Sequence, residues 1–260
     1  MKWEISHRET WLYEANPTLK LAVLVVLFLA VLLIHNPNVL INLSLALFLL
    51  FCFGTGYPAN VLFWMFLPFF LIFFSSASSM MMFGEGTTTW FRWGLIHITA
   101  ESFWRGLHLG FRALALGLLG LIFSLTTRPV PLFYSLMQQL KLKPKYAYSF
   151  LAAVRLLPIM LEELQTIRHA LKVRGVPRQG GLGKVKRYAI PLLSQSIRRA
   201  QRIAVAMEAK QFSGSGPRTF YYEIGFSKYD GWFVALFAAF LFAAYYVGIH
   251  YPYIPIRDVR

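Results

Sequence analysis

Residues Trp232–Ile249 run for eighteen positions without a charged side chain, between Asp230 and His250. As a helix this stretch is about 27 Å long, close to the ~30 Å hydrocarbon core of a bilayer. A soluble domain would have to hide that whole surface, whereas a lipid-embedded helix leaves it against acyl chains. Similar apolar runs occur at Leu21–Ile34, Val39–Phe53, about Ala59–Phe83 and about Phe103–Leu125. The 260 residues are 57% hydrophobic and only 14% charged, against roughly a quarter charged in soluble domains. The expected fold class is all-α, a polytopic membrane protein with about five transmembrane helices.

The first two runs are short for a bilayer, so flanking residues must extend them, with Lys20 snorkelling to the interface. Between them, His35-Asn36-Pro37-Asn38 breaks what would be one helix into a tight hairpin. Pro68 is expected to kink the third run. Gly84–Glu101 is polar and aromatic and is expected to be an external loop, with Trp90 and Trp93 at headgroup level. The fourth run carries Gly106 and Gly110, then Ala113 and Gly117, at four-residue spacing. Small residues so spaced let membrane helices approach closely; the other reading is that glycine is simply common in such helices. Arg105 and Arg112 lie towards the outer end of this span, where snorkelling and a place on an ion pathway are both open.

The formal net charge is +15. In a soluble protein this would suggest nucleic acid, but here the charge follows the loops. Of 26 Lys and Arg, 13 fall within Arg155–Arg218, beside three acids, Glu162, Glu163 and Glu208. Bases concentrated beside spans mark the cytoplasmic side, where anionic lipid also attracts them. Topology therefore explains the charge, and no nucleic-acid partner is expected. Five spans with this segment inside the cell put the N-terminus inside and the C-terminus outside. Met1–Pro17 lacks the pattern of a secretory signal peptide, so internal helices are expected to direct insertion. The chain divides into a membrane region (1–127), a cytoplasmic segment (128–218) and a final span with its tail (219–260).

Within the cytoplasmic segment, Arg128-Pro129-Val130-Pro131 closes the fourth span and Leu132–Leu142 reads as a short amphipathic helix. After Pro144, the residues Tyr146, Phe150, Val154, Leu157, Leu161, Leu164, Ile167 and Leu171 recur at steps of three and four. This marks one face of a helix roughly 40 Å long. Glu162, Glu163, Arg168 and Lys172 lie opposite, and Pro158 should bend the helix. It ends at Arg174-Gly175, with Gly175 suited to a left-handed C′ position. Past a flexible connector at Gln179–Gly183, a second helix carries Ile190, Leu193, Ile197, Ala200, Ala204 and Met207 on one side. Gln195, Arg198, Arg199 and Arg202 occupy its other side, and it ends before Ser213–Pro217. The segments Ala170–Gly175 and Ala206–Gln211 resemble each other 36 residues apart. Two long helices finishing on cations suggest two equivalent contacts with an acidic partner. Cations at helix C-termini also oppose the macrodipole without any partner, and amphipathic helices can lie on a membrane surface.

Catalytic and metal-binding patterns are missing. Gly180-Gly181-Leu182-Gly183-Lys184-Val185 fails as a phosphate loop: Arg178 stands where the first Gly belongs and Val185 replaces the magnesium-binding Ser or Thr. No ATP hydrolysis by this chain is expected. The six histidines are scattered, and Cys52 is the only cysteine, so no metal site, cofactor or disulfide is expected. Glu162 and Glu163 are adjacent on a helix and point apart, which suits a solvated face and not an acid–base pair.

Nearly the full chain resembles the energy-coupling factor (ECF) transporter transmembrane component, the T subunit. Leu12–Leu21, with Asn16-Pro17 and Lys20, is similar to the family's leader, which reads Asp-Pro-x-x-Lys. Thr126-Thr127-Arg128-Pro129, and Arg155 with Pro158, Glu162 and Glu163, are similar to the family's pattern around its coupling helices. Val173-Arg174-Gly175 and Ala209-Lys210-Gln211 resemble the paired Ala-Arg-Gly signatures that end those helices. The resemblance implies a non-catalytic subunit in the cell membrane. Its signature residues would sit in grooves on two cytoplasmic ABC-type ATPases, or one fused ATPase, which alone bind ATP. A separate small membrane subunit (S) would hold the cargo, a vitamin, a vitamin precursor or a metal ion. Lys210 keeps the charge but loses the arginine fork, and Gln211 replaces the glycine, so the second contact is expected to be weaker or differently shaped.

Two other function classes remain. An integral membrane enzyme acting on lipid-linked substrates would need polar catalytic residues near one interface. A self-contained channel or secondary transporter would need inverted repeats and broken helices at the midplane. Neither pattern is found in the sequence.

Overall fold

In the computed structural model, residues 8, 10–84, 86, 88–93, 96–175, 182–212 and 219–254 are described. The connector Gln179–Gly181, the stretch Ser213–Pro217 and the side chain of Trp93 lie outside them. The order is α1 (Trp11–Glu14), α2 (Pro17–Leu33), α3 (Pro37–Gly54), α4 (Ala59–Phe83), β1 (Thr89–Trp93), β2 (Ile96–Thr99) and α5 (Ala100–Thr126). Then follow α6 (Pro129–Gln139), α7 (Pro144–Val173), α8 (Leu182–Ala209) and α9 (Lys228–His250). The chain forms two compact units, one of residues 1–132 with 224–260 and the other of residues 133–223. The protein is an all-α polytopic membrane protein: α3, α4, α5 and α9 are long and apolar enough to cross a bilayer. Helix α2 is a shorter, mostly apolar helix of 17 residues and spans about 26 Å, a little under the ~30 Å core.

In the membrane unit α3 is the central helix, with 56% of its apolar stretch buried against 11% for α4. Leu40, Leu43, Leu47 and Phe51 of α3 meet Ala115 and Leu118 of α5 and Phe233 and Phe237 of α9 in one core. Phe63, Trp64, Phe70, Leu71 and Phe74 of α4 point outward, the arrangement lipid tolerates and water does not. Helix α5 packs on α4 through its glycines. A Cβ at Gly106 would stand 2.7 Å from the Ala77 carbonyl oxygen, and one at Gly110 would stand 3.0 Å from Ala77 Cβ. Close approach, not composition, accounts for these glycines.

Local chemistry explains the breaks. Asn36 caps α3 by accepting from the Asn38 N–H, and Pro37 takes the first helical position, where its missing N–H costs nothing. The helix therefore restarts at this proline, as the hairpin reading required. Pro129 does the same for α6, which begins immediately after Arg128, three residues ahead of the expected Leu132. The expected Gly84–Glu101 loop contains an antiparallel ribbon pairing Thr89 with Thr99 and Trp93 with Ile96. Its β-branched and aromatic residues favour strand over coil. Helices α4 and α7 run through Pro68 and Pro158 without interruption of either element.

Hydrogen bonds sort the helix ends of this unit into two sets. On one side, Thr10 Oγ1 donates to the Gly54 carbonyl (2.6 Å) and Asn16 N–H to Asp230 (2.6 Å), while Lys20 Nζ donates to the Thr126 carbonyl (3.0 Å). On the other, Arg112 donates to the Ile34 carbonyl (2.9 Å), and Asn38 accepts from the Tyr253 and Ile254 N–H groups (3.0 and 2.9 Å). Gly106 of α5 meets Met81 and Gly117 meets Phe69, so α4 runs antiparallel to α5, and helices α2, α3, α4, α5 and α9 alternate between two faces, as serial crossings do. One expectation is corrected. Lys20 does not snorkel: it is 2% exposed, because the unpaired carbonyl ending α5 satisfies its ammonium inside the protein. Arg112, half-buried, donates to the carbonyl capping α2.

Candidate functional site

The second unit is built on α7 and α8. Ser196 Oγ reaches Met160 Sδ at 2.9 Å, and Arg199 Nη1 lies 3.8 Å from Glu163 Oε2. Half-buried positions recur in pairs at the same 36-residue offset: Leu156 with Leu192, Met160 with Ser196, Glu163 with Arg199, Ile167 with Ile203, Leu171 with Met207. Both helices therefore use the same row of their repeat to face inward. Their contact lies near the middle of each. The ring of Phe212, just past α8, meets that of Tyr148, in the second turn of α7, edge to face at 5.4 Å. The two helices consequently run antiparallel.

Glu163 and Arg199 were expected on solvated faces, yet their side chains are only 12% and 27% exposed. The reason is steric: Ser196 is the small residue at the contact, where it meets Met160, and Arg199 lies within the same turn. Of the apolar rows, Val154, Leu164, Ile167, Leu171 and Met207 are half-buried as expected. Tyr146, Phe150, Leu157 and Leu161 of α7, and Ile190, Leu193 and Ile197 of α8, remain exposed. Each exposed stripe lies about a quarter-turn from the contact row, in the same rotational sense on both helices. In an antiparallel pair this brings the stripes to one side. Arg198 and Arg202 are on the other side, along a groove shared with Val205, Ala206 and Ala209.

The six predicted contact residues all sit at helix ends and are all exposed. Arg174 donates its N–H to the Ala170 carbonyl, and Gly175 donates to Lys172 at φ +62°. Lys210 donates to Ala206, Gln211 to Glu208 and Phe212 to Met207, with Gln211 at φ +55°. The second set is a complete Schellman turn. Gln211 therefore holds the left-handed C′ conformation that Gly175 holds, and the two signatures share one backbone shape. Val173 is 88% exposed, an aliphatic side chain held out beside Arg174. The two ends are not brought together. Each lies fourteen residues beyond the Met160–Ser196 contact, about 21 Å of helix, in opposite directions.

An aromatic cluster braces the α8 end. Tyr134 of α6 packs on Tyr148 and Tyr222 with ring centroids 6.4 and 5.7 Å apart, and Gln138 donates to the Tyr222 carbonyl. Burial, then the neighbouring phenols Tyr148 and Tyr222, push the Tyr134 phenol above its ordinary pKa. Among the described residues, no three His, Cys, Asp or Glu side chains converge as metal ligands would.

A family model described as CbiQ, cobalt transport protein, matches residues 8–222, which takes in both units. The chain belongs to the CbiQ family. It is 28% identical over 265 residues to the energy-coupling factor transporter transmembrane protein EcfT of Thermotoga maritima, covering 93% of each chain. The same-named protein of Lactobacillus helveticus is 26% identical over 240 residues, covering 85% of this chain and 84% of its own. That of Limosilactobacillus fermentum is 32% identical over 162 residues, 57% of this chain and 60% of its own. The family match includes both signature ends of α7 and α8.

Sequence reasoning missed the pairing of Glu163 with Arg199 and the inward roles of Lys20 and Asp230. A signal for Asp230 was present: Ser227 and Asp230 at three-residue spacing form a capping box at the start of α9.

Proposed function

We propose that this chain is the transmembrane coupling component of an ECF-type ABC importer. It passes ATP-driven motion from two cytoplasmic ATPases, or a fused one, to a separate membrane subunit that holds a vitamin, vitamin precursor or metal ion. The observation that carries this reading is the duplicated helix end. Arg174-Gly175 and Lys210-Gln211 share one backbone geometry and stand equally far from a common contact. A pair of equivalent arms suits a partner with two equivalent grooves. Arg174 and Lys210 would pair with acidic groove residues, Arg174 through a bidentate fork. Val173 and Ala209 would fill the adjoining apolar surface.

The remaining features agree with these roles. The exposed apolar side of the α7–α8 pair gives the cargo-holding S subunit and membrane lipid a surface to rest on, and the cationic side is left to water and the ATPases. In this reading the basic segment faces the cytoplasm from the plasma membrane and the C-terminus lies outside, an orientation that the concentration of bases in the coupling segment supports. ATP and its chemistry belong to the partners, and this chain is non-catalytic. Affinity purification of the tagged chain from its native membrane should recover ABC-type ATPase subunits. Recovery of the intact chain with no such subunit would overturn the proposal.

A further inference from the structure

Four buried groups join the start of α2 to the end of α5 and the start of α9. Asp230, 4% exposed, accepts from the Asn16 N–H (2.6 Å) through Oδ1 and from the Ser227 N–H (2.8 Å) through Oδ2. Asn16, 2% exposed, caps α2 by accepting from Thr18 and Leu19, and its Nδ2 donates to the Gly225 carbonyl (3.2 Å). One turn on, Lys20 donates to the Thr126 carbonyl (3.0 Å) at the last residue of α5. The charges match the helix ends they serve. The carboxylate sits at two N-termini, where the macrodipoles are positive, and the ammonium sits at a C-terminus, where the macrodipole is negative.

Such an arrangement is expensive for stability alone. A buried ammonium and a buried carboxylate each carry a large desolvation cost, and well-packed apolar replacements often stabilise as much. What the charges add is uniqueness of geometry, since each is satisfied at one spacing of the three helices. The position matters too. The Phe133–Glu223 unit leaves the membrane unit just after α5 and returns to it just before α9.

We infer that Asn16, Lys20, Thr126 and Asp230 form a clasp that holds the two attachment points of the coupling unit at a fixed spacing. Force applied to the arms is thereby transmitted to the membrane helices and not dissipated by separation of α5 from α9. Lys20 and Asp230 are positioning residues in this scheme. The inference rests on the coupling role proposed above.

The test uses the full chain with Cys52→Ser, spin-labelled at two exposed positions, Val130→Cys and Tyr229→Cys, and a parallel unlabelled set in the assembled complex. Wild type should give one narrow distance between the labels. Lys20→Met, which keeps length and volume, should broaden it, and Lys20→Arg, which keeps the charge and a donor, should restore it in part. In proteoliposomes of the complex, Lys20→Met should lower cargo moved per ATP hydrolysed by about three- to tenfold, with ATPase recovery and hydrolysis unchanged. Asp230→Asn, which keeps the shape, should act in the same direction. An unchanged distance distribution, or an unchanged transport-to-hydrolysis ratio, would overturn the clasp. Loss of the folded chain in both Lys20→Met and Asp230→Asn would also overturn it, as a purely structural knot. The label distances need no partner, so they still judge the clasp if wild type recovers no ATPase, a result that sinks the coupling role instead.

Discussion

Replacing Gln211 with glycine should tighten the end of α8. Gln211 holds φ +55°, where a Cβ costs about 1–2 kcal/mol. Glycine removes that strain but adds unfolded-state entropy worth about 0.5–1 kcal/mol. The net gain is roughly 0.5–1 kcal/mol. The converse change, Gly175→Ala at φ +62°, should loosen α7 by a similar amount. A Cβ there meets nothing within 4 Å, so the cost lies in the backbone alone. Residue-resolved hydrogen exchange reads both. The Gln211 and Phe212 amides, bonded to Glu208 and Met207, should exchange about two- to fivefold more slowly in Gln211→Gly. The Gly175 amide position, bonded to Lys172, should exchange faster in Gly175→Ala. Unchanged or faster exchange in Gln211→Gly would refute the backbone account and assign the turn to the glutamine side chain.

Under the proposed coupling role, Arg174→Ala should weaken capture of the ATPases by about 2–5 kcal/mol, as loss of a bidentate charged contact does. Lys210→Ala should cost less, and titration of each variant with the ATPases gives the order; a larger loss at Lys210 reverses the ranking of the two contacts. Gly106→Val should destabilise the membrane unit by about 1–3 kcal/mol by pushing α5 off Ala77, lowering the thermal midpoint in detergent, while Gly120→Ala, with open space around it, should raise the midpoint slightly, by about 0.4–1 kcal/mol of helix and unfolded-state entropy. The folded unit holds the Tyr134 proton more tightly than the unfolded chain does, so its stabilisation is complete below about pH 10, the ordinary tyrosine value, and is lost as pH rises through the raised one. Limited proteolysis should show the second unit loosening in that alkaline window, and Tyr134→Phe should remove this part of the loosening.

The spans were legible because lipid imposes a simple demand: uncharged length. That demand fixes where helices lie without fixing what each charged residue beside them does. Lys20 fits the snorkelling rule by position, yet it turns inward, and Arg112 too finds its partner within the protein. Their partners are carbonyls at the ends of other helices, and backbone acceptors leave no mark in a sequence. The ribbon at Thr89–Thr99 was hidden for a different reason. Its aromatic and β-branched residues read equally well as a headgroup loop, and strand pairing is a long-range fact.

In the second unit the repeat was legible and its packing was not. Spacing of apolar residues locates a face, but α7 and α8 each carry an apolar stripe wider than one partner helix can cover. Which part faces inward depends on where backbones come close, and Ser196 decides that at the contact. The consequence bears on function. A pair of helices made for stability alone would spend Leu157, Leu161, Leu193 and Ile197 on each other; here they stay exposed, while Glu163 and Arg199 occupy the contact. An apolar side left open, a cationic side opposite, and two matched ends reaching in opposite directions give three kinds of surface. Two helices with all three suit the coupling role proposed above, in which several partners act on them together.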